Sequence, residues 1–261
     1  MLFVDYEHWY VSTYRKFSMK PQIKEWRDMV AEKYNIREIL FFGDFSSTVG
    51  MKYEIPRVRE ITNMVIETQN TSPHYKKDFT DFIMLDYIYQ RAMSADDIDT
   101  FIIFTGDGHF SSVVRFLVNV CKKEVGIYAV RDSLSTLLKG SASWCVELPD
   151  EATLQHRYRS MVIQYFEALA AGGKKTIPTM TSTVDAVSAQ YMQERSDIET
   201  ALADLLRLGY IYQETRYVGR GRRIRGLKAD FSKMRRDNFV PVSADELPKS
   251  KKQQNKQRGN Q

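Results

Sequence analysis

The sequence predicts an α/β domain built on a parallel sheet, followed by a smaller domain of helix-turn-helix type. Three observations carry that prediction. Leu2–Asp5, Ile39–Asp44 and Phe101–Asp107 are short apolar runs, rich in Phe, Ile and Val, that end on an aspartate. Runs of that length bounded by turn residues read as strands buried on both faces of a sheet. Segments with helical spacing separate them, and past Leu148-Pro149-Asp150 the alternation gives way to helices and a hairpin.

Taken in order, Leu2–Asp5 is the first strand. Pro21 to Tyr34 follows as a helix, with Ile23, Trp26, Met29 and Val30 on one stripe and Pro21 suited to its first turn. The second strand closes at Gly43-Asp44; residues 54–66 read as helical, with Met64 to Thr68 turning extended. Asp78 to Met93 is a clear helix whose apolar stripe is Phe82, Leu85, Ile88 and Tyr89. Then come strand Phe101–Thr105, helix Ser111–Lys122, strand Val125–Val130, a short helix at Ser133–Leu138 and a strand at Trp144–Leu148. Strands separated by helices imply crossover connections and a parallel sheet.

Beyond the boundary, Leu154–Ala171, Val184–Tyr191 and Ser196–Leu208 read as three helices. Tyr210–Tyr212 and Ile224–Lys228 flank the basic, glycine-containing turn Gly219–Arg223. Three helices and a two-stranded hairpin follow the plan of a winged helix. The domains expected are 1–149, 150–232, and a basic tail over 233–261 expected to be disordered, which from about Ser243 onward is Lys-, Gln- and Asn-rich and poor in apolar residues to bury.

Composition excludes several classes. The 261 residues contain ample apolar side chains for a core, yet no run long enough to cross a bilayer and no signal-peptide pattern. Cys121 and Cys145 lack metal-ligand spacing and read as reduced thiols, which places the chain in the cytoplasm. The net charge of +5 divides unevenly, −3 over residues 1–150 and +8 over 151–261. Such asymmetry points to nucleic acid as a partner.

In open α/β sheets, ligands bind beyond the carboxyl ends of the strands. Asp5 and Asp107 each follow a strand, and Gly106 and Gly108 allow a tight turn around Asp107. Asp78 and Asp81 begin the central helix and share a face; Asp78 also reads as that helix's cap. Asp86 is rotated roughly 140° from Asp81 and is a weaker member. Asp44 serves equally well as a turn former with Ser46 and Ser47. Crowded carboxylates repel unless protonated or bridged by a cation, and their oxygens suit Mg²⁺ or Mn²⁺. A metal so held supports phosphodiester hydrolysis.

The ordered motifs resemble a known family. Val4-Asp5-Tyr6-Glu7-His8 resembles the "IDxEN" opening of the NYN domains, LabA-like and PIN-like nucleases. Lys77–Asp81 running into Leu85-Asp86 resembles their acidic helix, Thr105–Phe110 their "SGDSDF" segment, and Tyr128–Leu138 the strand and Ser-rich turn that follow. The resemblance covers residues 1–148. It implies a PIN-like fold, a Mg²⁺ or Mn²⁺ site made by Asp5, Asp81 and Asp107, and cleavage of RNA. His8 stands where the family has Asn, and His109 where it has a second acid. An imidazole shifts metal preference away from Mg²⁺; His109 could instead donate a proton or contact a phosphate.

In the basic half, Arg216, Arg220, Arg222, Arg223 and Arg225 gather around the hairpin tip, where arginines clamp phosphates. Tyr210, Tyr212 and Tyr217 could stack on unpaired bases. The leading expectation is a metal-dependent ribonuclease whose winged helix binds the substrate. DNA as a further substrate and a homo-oligomeric state are left open. The alternative is a non-catalytic nucleic-acid-binding regulator with a degenerate nuclease domain. A phosphatase ranks below both, because Glu7 stands where such enzymes need a second aspartate.

Overall fold

The computed structural model describes residues 1–46, 50–68, 79–172, 177–218, 222–243 and Leu247. The chain divides into two units, Met1–Pro149 and Asp150–Gln261. In the first, the elements are β1 (Leu2–Asp5), α1 (Tyr6–Phe17), α2 (Ile23–Ala31), β2 (Ile39–Gly43), α3 (Ile55–Arg59) and β3 (Val65–Glu67). They continue with α4 (Phe79–Ser94), β4 (Thr100–Phe104), α5 (Ser111–Arg115, extended by a π turn over Phe116–Val120), β5 (Glu124–Val130), α6 (Thr136–Lys139) and β6 (Trp144–Leu148). The six strands pair in parallel in the order β3-β2-β1-β4-β5-β6.

Period-two alternation gives that sheet two different faces. Phe3, Leu40, Phe42, Phe101, Ile103, Val125 and Ile127 join Met84 and Ile88 of α4 and Val113 and Leu117 of the α5 segment in one core. The opposite face is aromatic. Phe41 meets Tyr6 edge-on, Phe104 lies flat on Trp9 with ring centroids 3.8 Å apart, and Trp26 of α2 meets both Phe104 and Tyr128 edge-on. Each fully buried side chain of this size contributes about 1.5–3 kcal/mol.

Several boundaries differ from the sequence expectation. Helix α1 has no counterpart there; its buried positions Tyr6, Trp9, Tyr10, Thr13 and Phe17 form one helical stripe. The helix expected over 54–66 shortens to α3, while within the segment expected to turn extended, 65–67 pairs with β2 as a strand. Glu54, before α3, is fully buried and tied into a polar knot. It accepts from the Tyr6 hydroxyl at 2.8 Å and from Lys20 Nζ at 2.7 Å, and pairs with Arg57. Burial first, and then the Glu54 charge, holds the Tyr6 phenol protonated far above its ordinary range. The knot fixes the residue next to Asp5.

The second unit contains α7 (Glu151–Ala171), α8 (Met180–Tyr191), α9 (Arg195–Arg207), the antiparallel hairpin β7 (Ile211–Val218) and β8 (Arg222–Ala229), and α10 (Phe231–Arg236). Residues 233–243, read from the sequence as the start of a tail, are instead built into this unit. Met234 is buried, Phe239 packs between His156 and Tyr210, and the Val242 backbone bonds Ser160 and Gln164 of α7. Apart from Leu247, the rest of the expected tail lies outside the described residues.

Gly126 on β5 lies opposite Trp144 on β6, and a Cβ there would meet the indole ring at 2.0 Å. That ring stacks on Tyr34 and meets Tyr128 edge-on. Gly126→Ala is therefore expected to destabilise the fold by about 1–3 kcal/mol through overpacking. Gly140→Ala, where the nearest atom would be 3.5 Å away, should be close to neutral. Thermal melting of the two variants checks this.

Candidate metal centre

The strand order places a topological switch point between β1 and β4: the chain winds from β1 through β2 to β3, then returns to the other side of β1. A crevice opens at the carboxyl ends of strands at such a point. Asp5, the last residue of β1, and Asp107, just beyond β4, flank it. The first turn of α4 adds Asp81.

Asp5 and Asp107 are fixed by local backbone. Asp5 ends a strand and caps α1, its Oδ1 accepting the His8 backbone N–H at 3.0 Å. Its Oδ2 meets the Thr105 hydroxyl at 3.5 Å, the outer limit of a hydrogen bond. Asp107 caps the 3-10 turn Gly108–Phe110 that leads into α5, accepting the His109 backbone N–H at 2.9 Å; its own N–H is given to Thr105 Oγ1 at 3.2 Å. The backbone packs closely beside it, most tightly at Gly106. A Cβ on Gly106 would lie 2.4 Å from the Ser133 carbonyl, and one on Gly108 would lie 2.8 Å from Ser135 Oγ.

The structure brings Asp81, Asp107 and His109 together, with one donor atom from each within 4.8 Å of the others. His109 Nδ1 lies 3.5 Å from Asp107 Oδ1 and 4.0 Å from Asp81 Oδ2. Asp5 is 5% exposed, and burial pushes its carboxyl up to about 8. The His8 N–H opposes that shift, while the charges of Asp81, Glu7 and Asp107 add to it. Asp81, Asp107 and His109, with the charge of Asp5 beside them, form a donor set that fits a divalent cation.

The remaining candidates separate. Asp86 is exposed and accepts from Gln90 Nε2 at 2.7 Å, so it does not join the cluster. Asp44 closes a turn by accepting the Ser46 N–H at 2.9 Å and its hydroxyl at 2.6 Å. His8 lies against Gly106, its Nε2 buried and without a hydrogen-bond partner among the described residues. Burial lowers its proton affinity, countered in part by Asp107. Asp78 lies outside the described residues.

Glu7 went unrecognised in the sequence as a member of the acidic mouth. Its carboxylate accepts the Asp44 N–H at 3.2 Å and its charge reaches Asp5. The available signal was its place two residues after the strand end, in the first turn of a helix that the apolar pattern did not reveal.

Comparison with known proteins agrees with this architecture. The model of the NYN domain family matches residues 1–148, more than half of the chain. No curated protein matches it. A solved protein of unknown function from Vibrio parahaemolyticus is similar in fold, with a TM-score of 0.51 at 17% identity. That match covers 57% of this chain and 91% of the other.

The raised Asp5 carboxyl has a signed consequence for metal-free protein. Its folded value of about 8 exceeds its ordinary 3.8, so the folded state holds the proton more tightly. Stability from this group is present at low pH and is lost as pH rises from about 4 to 8. Asp5→Asn should therefore melt higher than wild type in chelator, by on the order of a few degrees, and the gap should widen between pH 5 and 8. Scanning calorimetry across that range checks it.

Proposed function

The chain belongs to the NYN domain family, and from that premise we propose that its first unit is a metal-dependent ribonuclease, hydrolysing RNA phosphodiester bonds at the mouth formed by Asp5, Asp81 and Asp107. NYN domains are generally nucleases, and PIN-like nuclease domains typically use divalent metals. A six-stranded parallel sheet flanked by helices fits that family. The observation carrying the proposal is the convergence of Asp81, Asp107 and His109 beside a buried Asp5 at the switch point.

Mg²⁺ or Mn²⁺ would be held by Asp5, Asp81 and Asp107, with His109 beside them. Such an ion polarises a phosphodiester and makes water a competent nucleophile near neutral pH. The chain's residues do the positioning. Backbone N–H groups of His8 and His109 orient two of the carboxylates, and the Thr105 hydroxyl links the strand ends that carry them. Four acids alone would repel a phosphodiester, so the same charges that would hold the cation make cleavage depend on it.

For the second unit we propose nucleic-acid binding through the hairpin of a winged helix. Supporting this reading, α8, α9 and the β7–β8 hairpin follow one another in winged-helix order, and Arg223, Arg225 and Tyr217 are exposed. Arg216 pairs with Glu214 at 2.9 Å, so it contributes less free charge. Tyr210, a stacking candidate from the sequence, is buried at the base and carries Lys233 over its ring. Arg220 and the side chain of Arg222 lie outside what the structure describes. Among the described residues no helix is long and apolar enough to cross a membrane.

Purified protein with Mn²⁺ is expected to cut RNA. Asp5→Asn, Asp81→Asn and Asp107→Asn should each lose activity by about a hundredfold or more while still binding RNA, as chelator should do to wild type. RNA bound but never cut by wild type would favour the regulator with a degenerate nuclease domain. Replacing Arg223 and Arg225 together by Ala should weaken RNA binding and lower the slope of log affinity against log salt by about 1–2. A salt titration by fluorescence anisotropy measures it.

A further inference from the structure

Resting on the reading of the mouth as a metal centre, we infer that His109 supplies a nitrogen ligand through Nδ1, and that this donor biases the centre toward transition-metal ions such as Mn²⁺ and Co²⁺ over Mg²⁺. The placement is the first ground. Nδ1 sits 3.5 Å and 4.0 Å from the nearest oxygens of Asp107 and Asp81, and the three donor atoms fall within 4.8 Å of one another. The backbone holds the residue there, because the His109 N–H is committed to Asp107 Oδ1 at the start of the 3-10 turn. The ring itself is 65% exposed, so its rotation does not disturb the core.

The second ground is the carboxylate behind the cluster. Asp5 is 5% exposed, and its Oδ2 has the Thr105 hydroxyl at the limiting distance of 3.5 Å as its hydrogen-bond contact. A buried carboxyl with so few donors, facing the charges of Asp81, Glu7 and Asp107, is compensated either by a proton or by a cation at that place. What distinguishes the site is the donor type beside it. Carboxylate and water oxygens suit Mg²⁺ and Mn²⁺ alike, whereas an imidazole nitrogen favours first-row transition ions in the order of that series, Co²⁺ well above Mn²⁺, and Mg²⁺ least. Magnesium also keeps several waters and dehydrates reluctantly, so it gains little from a fixed nitrogen. One nitrogen among oxygens therefore raises affinity for Mn²⁺ and Co²⁺ and leaves that for Mg²⁺ nearly unchanged.

The test is pulsed EPR on full-length protein loaded with Mn²⁺, alongside calorimetric titrations of Mn²⁺ and Mg²⁺ into wild type, His109→Asp and His109→Gln. The expected result is ¹⁴N coupling to bound Mn²⁺ in wild type, absent in both variants. The Mn²⁺-to-Mg²⁺ affinity ratio should fall about tenfold in His109→Asp, where an oxygen replaces the nitrogen. Because the coupling is read in wild type, the result does not depend on a variant that folds. Bound Mn²⁺ without nitrogen coupling, or an unchanged ratio in His109→Asp, overturns the inference and leaves the metal centre standing. Failure of wild type to bind either ion overturns both.

Discussion

Asp5 is held where water hardly reaches it, at the end of the strand on which the two halves of the sheet diverge. Removing a carboxylate from water is costly unless a partner compensates, and the immediate surroundings compensate it poorly. The α1 N-terminus offers one backbone N–H, Thr105 offers a distant hydroxyl, and the neighbouring acids make matters worse. Much of the local architecture follows from keeping that residue in place. The Tyr6–Glu54 knot anchors the next residue, and Trp9 on Phe104 pins the same helix to the strand across the switch point.

The sheet was legible because strands buried on both faces leave continuous apolar runs, and every such run became a strand at nearly the expected residues. Helix α1 was not legible, for a physical reason. Tyr, Trp, Val, Ser and Thr are weak helix formers, so intrinsic preference gives little signal over Tyr6–Phe17. What makes the segment helical is its aromatic stripe docking on Phe41 and Phe104, a contact that exists only after the sheet has formed. Glu7 went unrecognised for the same reason, since its role depends on that helix starting where it does.

The acids show a similar division. Asp5 and Asp107 could be read from their places after strands, because a parallel sheet assembles strand ends at one edge. Asp81 followed from its turn of helix. Separating Asp86 from that group required only helical geometry, whereas the proximity of His109 to both acids depends on how the Gly106–Gly108 loop bends. In the second unit, spacing located the helices and the hairpin, but charge composition alone could not show that Arg216 is engaged by Glu214 or that Tyr210 is interior. Nor could a Lys- and Arg-rich segment reveal that Met234 and Phe239 pack inward beyond the hairpin.

The tight approach of Ser133 and Ser135 to the loop bearing Asp107 has an engineering corollary. The loop interlocks with the turn after β5: the Ser135 N–H binds the Gly106 carbonyl at 3.0 Å, and a side chain on Gly106 would run into the Ser133 backbone. Transplanting the acidic mouth to another scaffold would require moving both segments as one cassette, together with the strands that carry them. A graft of the aspartates alone would carry the ligands without the mould that shapes their backbone.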